Sequence, residues 1–125
     1  MTERRYRVMG YAQSDDGINW QEHRRNPILT AKDIPWGRIV QTPFVMYDKD
    51  ERIYKMWFVS GDGVRRDEKE RVTSNDQRLG YATSADGLDW KIHAQPIYSS
   101  GRSPLVIKEG LKRYRMWMGS RPKDD

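Results

Sequence analysis

Apolar and polar positions alternate with strand period from the start of the chain. Over Tyr6 to Ser14, Val8, Gly10 and Ala12 fall on one face and Met9 and Tyr11 on the other. The alternation stops at Asp15-Asp16-Gly17, a turn in which Gly supplies positive φ without strain, and resumes from Ile18 to His23. Arg24 to Gly37 is a loop, marked by Asn26-Pro27 and by Ile34-Pro35-Trp36-Gly37. A largely apolar strand is predicted over Arg38 to Tyr47, with Pro43 suiting a strand start or an edge. Asp48-Lys49-Asp50-Glu51 is a polar turn, and Arg52 to Ser60 is the next strand. Gly61 to Gln77 is long and polar; its run from Arg65 to Arg71 has no apolar face and predicts a solvated loop. Strands are then predicted over Arg78 to Ser84, Leu88 to His93, Ser103 to Lys108 and Arg113 to Ser120.

The second part of this pattern copies the first. Gly10-Tyr11-Ala12-Gln13-Ser14-Asp15-Asp16-Gly17-Ile18-Asn19-Trp20 returns as Gly80-Tyr81-Ala82-Thr83-Ser84-Ala85-Asp86-Gly87-Leu88-Asp89-Trp90, with seven of eleven positions identical at an offset of 70. Tyr54-Lys55-Met56-Trp57 returns as Tyr114-Arg115-Met116-Trp117 at an offset of 60, and Pro43-Phe44-Val45 as Pro104-Leu105-Val106 at 61. Antiparallel four-strand repeats of this size predict an all-β fold, a β-propeller segment of four-stranded blades. The phase gives one partial domain over 1–125: a half-blade at 5–30, a full blade at 38–98 and a half-blade at 102–120.

Composition narrows the classes. Hydrophobic residues make up only 36% of the chain and charged residues 33%, yet five Trp and seven Tyr argue against disorder. No apolar run is long enough to cross a bilayer and no leader pattern opens the chain, so the expectation is a cytoplasmic protein without membrane partners. With no Cys there is neither a disulfide framework nor a thiolate metal site. The net charge of +5 raises nucleic acid as a partner. Acids and bases are interleaved, however: Arg65, Arg66 and Arg71 are offset by Asp67, Glu68 and Glu70, which ranks that reading low.

The blade motifs resemble a known family. Gly-Tyr-Ala-x-Ser-x-Asp-Gly-x-x-Trp, then Asn-Pro, Pro-Phe-Val and Tyr-Lys-Met-Trp-Phe-x-Ser-Gly, is similar to the five-bladed β-propeller glycoside hydrolases. That superfamily holds arabinanases, β-xylosidases, fructosidases and mannosyl-phosphorylase-like proteins of the family 43 type, including bacterial members associated with surface polysaccharide. The resemblance spans nearly the whole chain but about two blades' worth of the family's fold. The Asp-Gly-x-x-Trp segment also resembles the sialidase Asp-box, which has one more residue between Asp and Gly. The resemblance implies oligosaccharide or polysaccharide as the partner and glycosidase as the activity, if there is one, with no cofactor. It also implies either a fragment of a longer propeller or several chains completing a ring.

Glycoside hydrolysis usually needs two carboxyl groups flanking the scissile bond. In the resembling enzymes one sits in an Arg-Asp-Pro segment at the start of an innermost strand. Here the corresponding segments read Gln41-Thr42-Pro43 and Arg102-Ser103-Pro104, and neither carries the Asp. The expected function is therefore a carbohydrate-related module lacking complete catalytic machinery by itself. The alternatives are a hydrolase whose site is completed by oligomerisation, and a basic nucleic-acid-binding or structural module. Asp33 and Asp62, in loops opening toward the expected funnel, are the remaining catalytic candidates. Asp15, Asp16 and Asp86 are assigned to turn geometry, and Asp48, Asp50, Glu51 and Glu109 to hairpin turns.

Trp36 has no repeat partner and is the aromatic assigned to a sugar ring, with Arg38, Gln41, Thr42, Arg102 and Ser103 around it as polar groups. Trp20, Trp57, Trp90 and Trp117 recur and are assigned to inter-blade core. His23 and His93 occupy matched repeat positions and are assigned to structure, with no metal site. The two half-blades are complementary, so self-association is expected, as a ring-shaped trimer or a swapped dimer.

Overall fold

The computed structural model describes residues 7–120. Tyr6, at the start of the first expected strand, and the beginning of the unit expected at 5–30 lie outside them. The fold is all-β and every strand pairing is antiparallel. The strands are β1 (Ala12–Gln13), β2 (Gln21–Glu22), β3 (Gln41–Asp48), β4 (Ile53–Arg66), β5 (Val72–Ser84), β6 (Lys91–Ile92), β7 (Arg102–Gly110) and β8 (Arg113–Gly119). They form three sheets in chain order: β1-β2, then β3-β4-β5-β6, then β7-β8. No helix among the described residues is long and apolar enough to cross a membrane.

The sequence repeat is visible in the pairing. Ala12 faces Glu22 as Ala82 faces Ile92, and Phe44 faces Trp57 as Leu105 faces Trp117. His23 and His93 each donate a backbone N–H to the carbonyl of Tyr11 and Tyr81, at 3.0 and 2.8 Å. The Ser-x-Asp-Gly motif builds the same turn twice, and not a two-residue hairpin as its Asp-Gly pair suggests. Ser14 Oγ accepts from Gly17 N (2.8 Å) and Asp16 Oδ1 from Ile18 N and Asn19 N (2.8 Å each). Ser84 and Asp86 repeat these bonds at 2.9 Å. Gly17 and Gly87 hold φ of 78° and 79°, the left-handed region that Gly occupies without cost.

One expected loop is a hairpin. Residues 61–77 continue β4 and β5, pairing Gly63 with Asp76, Arg65 with Ser74 and Arg66 with Val72. The ladder needs no apolar face, because backbone bonds alone carry it past the core. Asp67 closes the tip: its Oδ1 accepts from Lys69 N and Arg71 N (2.9 and 3.0 Å), and its Oδ2 pairs with Arg71 Nε at 2.8 Å. The Arg71 N–H and guanidinium hold the Asp67 carboxyl below its usual range, against partial desolvation.

The core lies on one face of the central sheet, against the Met9–Leu29 bridge and the loop that follows it. Met9, Leu29, Ile34, Val40, Met56, Phe58 and Ala82 form one buried cluster, with Trp36, Trp90 and Ile92 packed against it. Phe58 and Met56 are fully buried, each contributing roughly 1.5–3 kcal/mol. Gly80 lets this happen: a Cβ there would come within 2.4 Å of Phe58 Cζ and 2.7 Å of Trp36 Cζ2. The recurring tryptophans divide. Trp57 is buried and Trp90 packs on the core, as expected, but Trp20 and Trp117 are 61% and 47% exposed. Trp20 immediately precedes β2 and Trp117 lies in β8, the two-stranded sheets whose outer faces carry no further sheet among the described residues.

The second and third sheets are joined through a buried carboxylate. Asp48, expected in a polar hairpin turn, ends β3 and is buried at 1% exposure. Its Oδ1 accepts from Asp50 N and Glu51 N at 3.0 and 3.1 Å, which shapes the turn into β4. Its Oδ2 meets Lys55 Nζ at 2.9 Å, Lys108 Nζ at 2.8 Å and the Tyr114 hydroxyl at 3.0 Å. Lys55 also bonds Glu51 and, at 2.7 Å, Tyr114; Lys108 reaches Asp50 at 2.9 Å. Lys55 comes from β4 of one sheet, and Lys108 and Tyr114 from the strands of the next. Bonds from Lys108 and then Lys55 hold the Asp48 carboxyl far below the usual range. Burial works to lower the Lys55 ammonium, but its bonds to Glu51, Tyr114 and Asp48 outweigh that and raise it. Lys108 is raised by Asp48 first.

Removing the Asp48 charge leaves the buried Lys55 and Lys108 ammonium groups with only the half-exposed carboxylates of Glu51 and Asp50. Asp48→Asn is expected to lower the thermal midpoint at neutral pH by about 10 °C or more. A carboxylate with a depressed folded pKa stabilises above its unfolded value of about 4 and loses this as pH falls below it. The raised lysines contribute below about 10.4 and lose this as pH climbs past it. The gap in midpoint between wild type and Asp48→Asn should therefore be widest from about pH 5 to 10 and close in acid; scanning calorimetry across that range checks it. Gly80→Ala overpacks Phe58 and Trp36 and should cost about 1–3 kcal/mol in urea unfolding, with a shift in tryptophan emission.

Candidate functional site

Trp36, Arg38, Gln41 and Asp62, singled out from sequence, lie toward one end of the central sheet, where β3 starts, β4 passes Ser60 and β5 carries Arg78. The chain reaches it through the short 3-10 turn Ala31–Asp33, capped by Thr30. Trp36 follows, stacked on Phe58 with ring centroids 6.1 Å apart and planes 18° from parallel. The Arg78 guanidinium lies 5.2 Å from the Trp36 ring centroid, and its Nη2 donates to the Trp36 carbonyl at 2.8 Å. Trp36 is thus half-buried and anchored, not a free loop aromatic.

Gly37 passes close over Ser60, and Arg38 N donates to Gly61 O at 2.8 Å, locking this loop onto β4. From that bond the polar groups fan out. Arg38 Nε and Arg65 Nη2 each lie 3.6 Å from a carboxylate oxygen of Asp62, all three side chains about half exposed. Asp62 N donates to Asp76 Oδ2 at 2.8 Å, and Arg78 engages both oxygens of Asp76 at 2.9 and 3.1 Å. Gln41 Oε1 accepts from Arg7 Nη1 at 2.7 Å, and Val40 N donates to Arg7 O at 3.1 Å. The Trp36 indole Nε1 and the Ser60 Oγ are buried and have no hydrogen-bond partner among the described residues.

Two backbone features repeat. Thr42 and Ser103, each preceding a Pro, both hold φ of 47°, and the pairing slips at both places, between Gln41 and Phe44 and between Arg102 and Leu105. Residues other than Gly adopt this region rarely and at a cost, so the same strain at two equivalent strand starts is a property of the repeat.

The structure joins Arg38, two residues after Trp36, to Asp62 at 3.6 Å; Gln41 begins β3 opposite Val59 and bonds Arg7, and Thr42 has no hydrogen bond or ion pair to this group among the described residues. It does not join Asp33 to them: that side chain is spent on the Thr30 backbone N–H at 2.9 Å. Arg102 and Ser103 begin β7 in the next sheet and share no hydrogen bond or ion pair with the group around Trp36 among the described residues. Sequence reasoning missed Asp76, Arg78, Arg65 and Arg7. The Asp62–Asp76 contact follows from the β4–β5 hairpin, which the polar run concealed. Among the described residues no three His, Asp or Glu side chains are grouped to hold a metal ion.

A hollow of about 440 Å³ lies on the β1–β2 connection, lined by Ser14, Asp16, Asn19 and Trp20 among others. Its polar groups already bond one another: Asp16 takes Ser14, Ile18 and Asn19, and Trp20 Nε1 donates to Gly17 O at 3.1 Å. The N–H groups of Asn19 and Ile18 hold the Asp16 carboxyl well below the usual range. This hollow is turn scaffolding.

Comparison with known proteins gives little to set beside this geometry. No family model matches the chain, and no solved structure matches it. The uncharacterized protein Rv1502 of Mycobacterium tuberculosis is 33% identical over 84 residues, which cover 67% of this chain and 23% of that protein. The matched stretch is thus about a quarter of the length of the curated relative.

Proposed function

We propose that this chain is a segment of a β-propeller of the glycosidase type that binds carbohydrate and does not hydrolyse it on its own. The observation that carries this is the pair of strained strand starts. Thr42 and Ser103 share φ of 47° before a Pro, at the positions where the resembling enzymes carry an Asp, and neither has a carboxyl group. The two strand starts share one backbone geometry, and neither supplies an acid. The other acids do not replace it. Asp62 faces Arg38 and Arg65, Asp76 faces Arg78, and Asp33 caps its own turn.

What remains suits recognition. Trp36, half-buried between Phe58 and Arg78, offers the exposed part of its ring, and the half-exposed Arg38–Asp62 pair that follows it in the fold offers a donor and an acceptor to hydroxyl groups. The basic run that would favour nucleic acid is largely spent on acids, Arg65 on Asp62 and Arg71 on Asp67. Self-pairing of that kind leaves little charge to release counterions.

The test is titration of arabinan, xylan, fructan and mannan oligosaccharides against wild type and Arg38→Ala by calorimetry. Arg38 is half exposed, so its loss should leave folding intact. At least one sugar series should bind, and Arg38→Ala should weaken it by about ten-fold or more, the worth of a hydrogen bond to a charged group. Sugar release by the purified chain would overturn the non-hydrolytic reading. Binding unchanged in Arg38→Ala would remove the site from this end of the sheet.

A further inference from the structure

We propose that a second copy of this chain docks on the outer face of β7–β8, with its β1 pairing to the free edge of β8. The inference rests on the strand repeat and not on the sugar reading.

The chain carries its own template for this contact. Between the second and third sheets, Trp57 of β4 lies 6.3 Å from Tyr114, ring to ring, and the Asp48–Lys55 pair beside it is buried against Lys108 and Tyr114. The repeat equivalents of Trp57, Asp48 and Lys55 are Trp117, Glu109 and Arg115. They stand on the outer face of β7–β8 in the same arrangement: Glu109 and Arg115 pair at 3.0 Å, and the Arg115 guanidinium lies 4.7 Å from the Trp117 ring centroid. This copy of the arrangement is open. Trp117 is 47% exposed against 6% for Trp57, and Leu105 and Ile107 beside it are 45% and 47% exposed.

The complement is also present. The equivalents of Val106, Lys108 and Tyr114, which cover the buried pair, are Val45, Tyr47 and Tyr54 on the opposite face of the central sheet. Tyr47 and Tyr54 touch edge to face at 4.8 Å, and Val45 and Tyr47 are 45% and 46% exposed. Placed as the template dictates, Tyr54 of the second copy covers Trp117 and offers its hydroxyl to the Glu109–Arg115 pair. Apolar meets apolar, and the ion pair gains a donor.

The strand edges fit the same geometry. Among the described residues β8 and β1 are each paired with a strand on one side only. Inside the chain, β4 pairs β5 with Lys55 opposite Thr83, Met56 opposite Ala82 and Trp57 opposite Tyr81. Carried to the equivalents, Arg115 faces Gln13, Met116 faces Ala12 and Trp117 faces Tyr11 of the second copy. The joined edges make a four-stranded sheet like the central one. Such a contact is head to tail, and it closes into a ring when the rotation allows.

The chain has no native Cys, so a cross-link can report the register. The Tyr81 carbonyl bonds His93 on the β6 side, which makes Lys55–Thr83 a non-hydrogen-bonded pair, and hence Arg115–Gln13 as well. Such pairs bring Cα atoms to about 4.5 Å, within disulfide range. Gln13→Cys and Arg115→Cys, both exposed sites, are purified separately, mixed and mildly oxidised. The expected result is a disulfide-linked pair forming about ten-fold or more faster than from Arg115→Cys mixed with Lys49→Cys, a turn position outside the register. Light scattering on the uncross-linked wild type should give a multiple of 14.8 kDa, with a trimer expected. Equal cross-linking in both mixtures overturns the register. A 14.8 kDa monomer at high micromolar concentration overturns the docking and leaves that face to some other polypeptide.

Discussion

The buried carboxylate of Asp48 is the constraint on which the relation between the sheets depends. It is a single charge taken out of water, and it is tolerated because every lone pair is used. Two backbone amides fix the turn from β3 to β4, and two ammonium groups and a phenol hold the next sheet. Buried ion pairs are weak sources of net stability but strong sources of specificity, since a misplaced partner leaves a bare charge. Here the specificity is geometric. Lys55 on one sheet and Lys108 and Tyr114 on the next reach the same carboxylate in one relative placement of the two sheets. Trp57 then packs against Tyr81 and Tyr114 in the apolar part of that seam.

The other seam of the central sheet is apolar, and it reaches the candidate site. Phe58 and Met56 on β4 bury against Met9, Leu29 and Val40, and Trp36 stacks on Phe58 at the margin of this cluster. The loop carrying Trp36 and Arg38 is thereby held by packing, by the bond from Arg38 N to Gly61 O, and by Arg78. A polar surface built on so rigid a support loses little conformational entropy on binding, which is what hydroxyl-rich ligands require. The proposed binding surface and the core are therefore one mechanical unit.

Much of the fold was legible because it is written twice. The eleven-residue motif at Gly10 and Gly80 marked matched strand–turn–strand units, and the matched Pro, Tyr and Trp positions marked the rest. What was misread failed for physical reasons. The run from Arg65 to Arg71 was read as loop because sequence patterns register side-chain burial, and this hairpin extends by backbone bonding beyond any buried face. The sequence places Asp48 in a hairpin turn but not its burial, because its two lysines lie 7 and 60 positions away and only folding brings them together. Trp20 and Trp117 share a pattern with Trp90 and Trp57 but not an environment, since a repeat predicts the residue and not its neighbour. In the candidate site, Trp36, Arg38 and Asp62 were legible; Asp76 and Arg78 became so only through the β4–β5 ladder.

The account comes down to where a sugar sits. A crystal of the chain soaked with an oligosaccharide that binds it in solution answers this directly. The prediction is density at the start of β3, with a sugar ring in contact with Trp36 and hydroxyl groups bonded to Arg38 or Asp62. Density on the β1–β2 turn, or at the outer face of β7–β8 with the Trp36 surface empty, would contradict it.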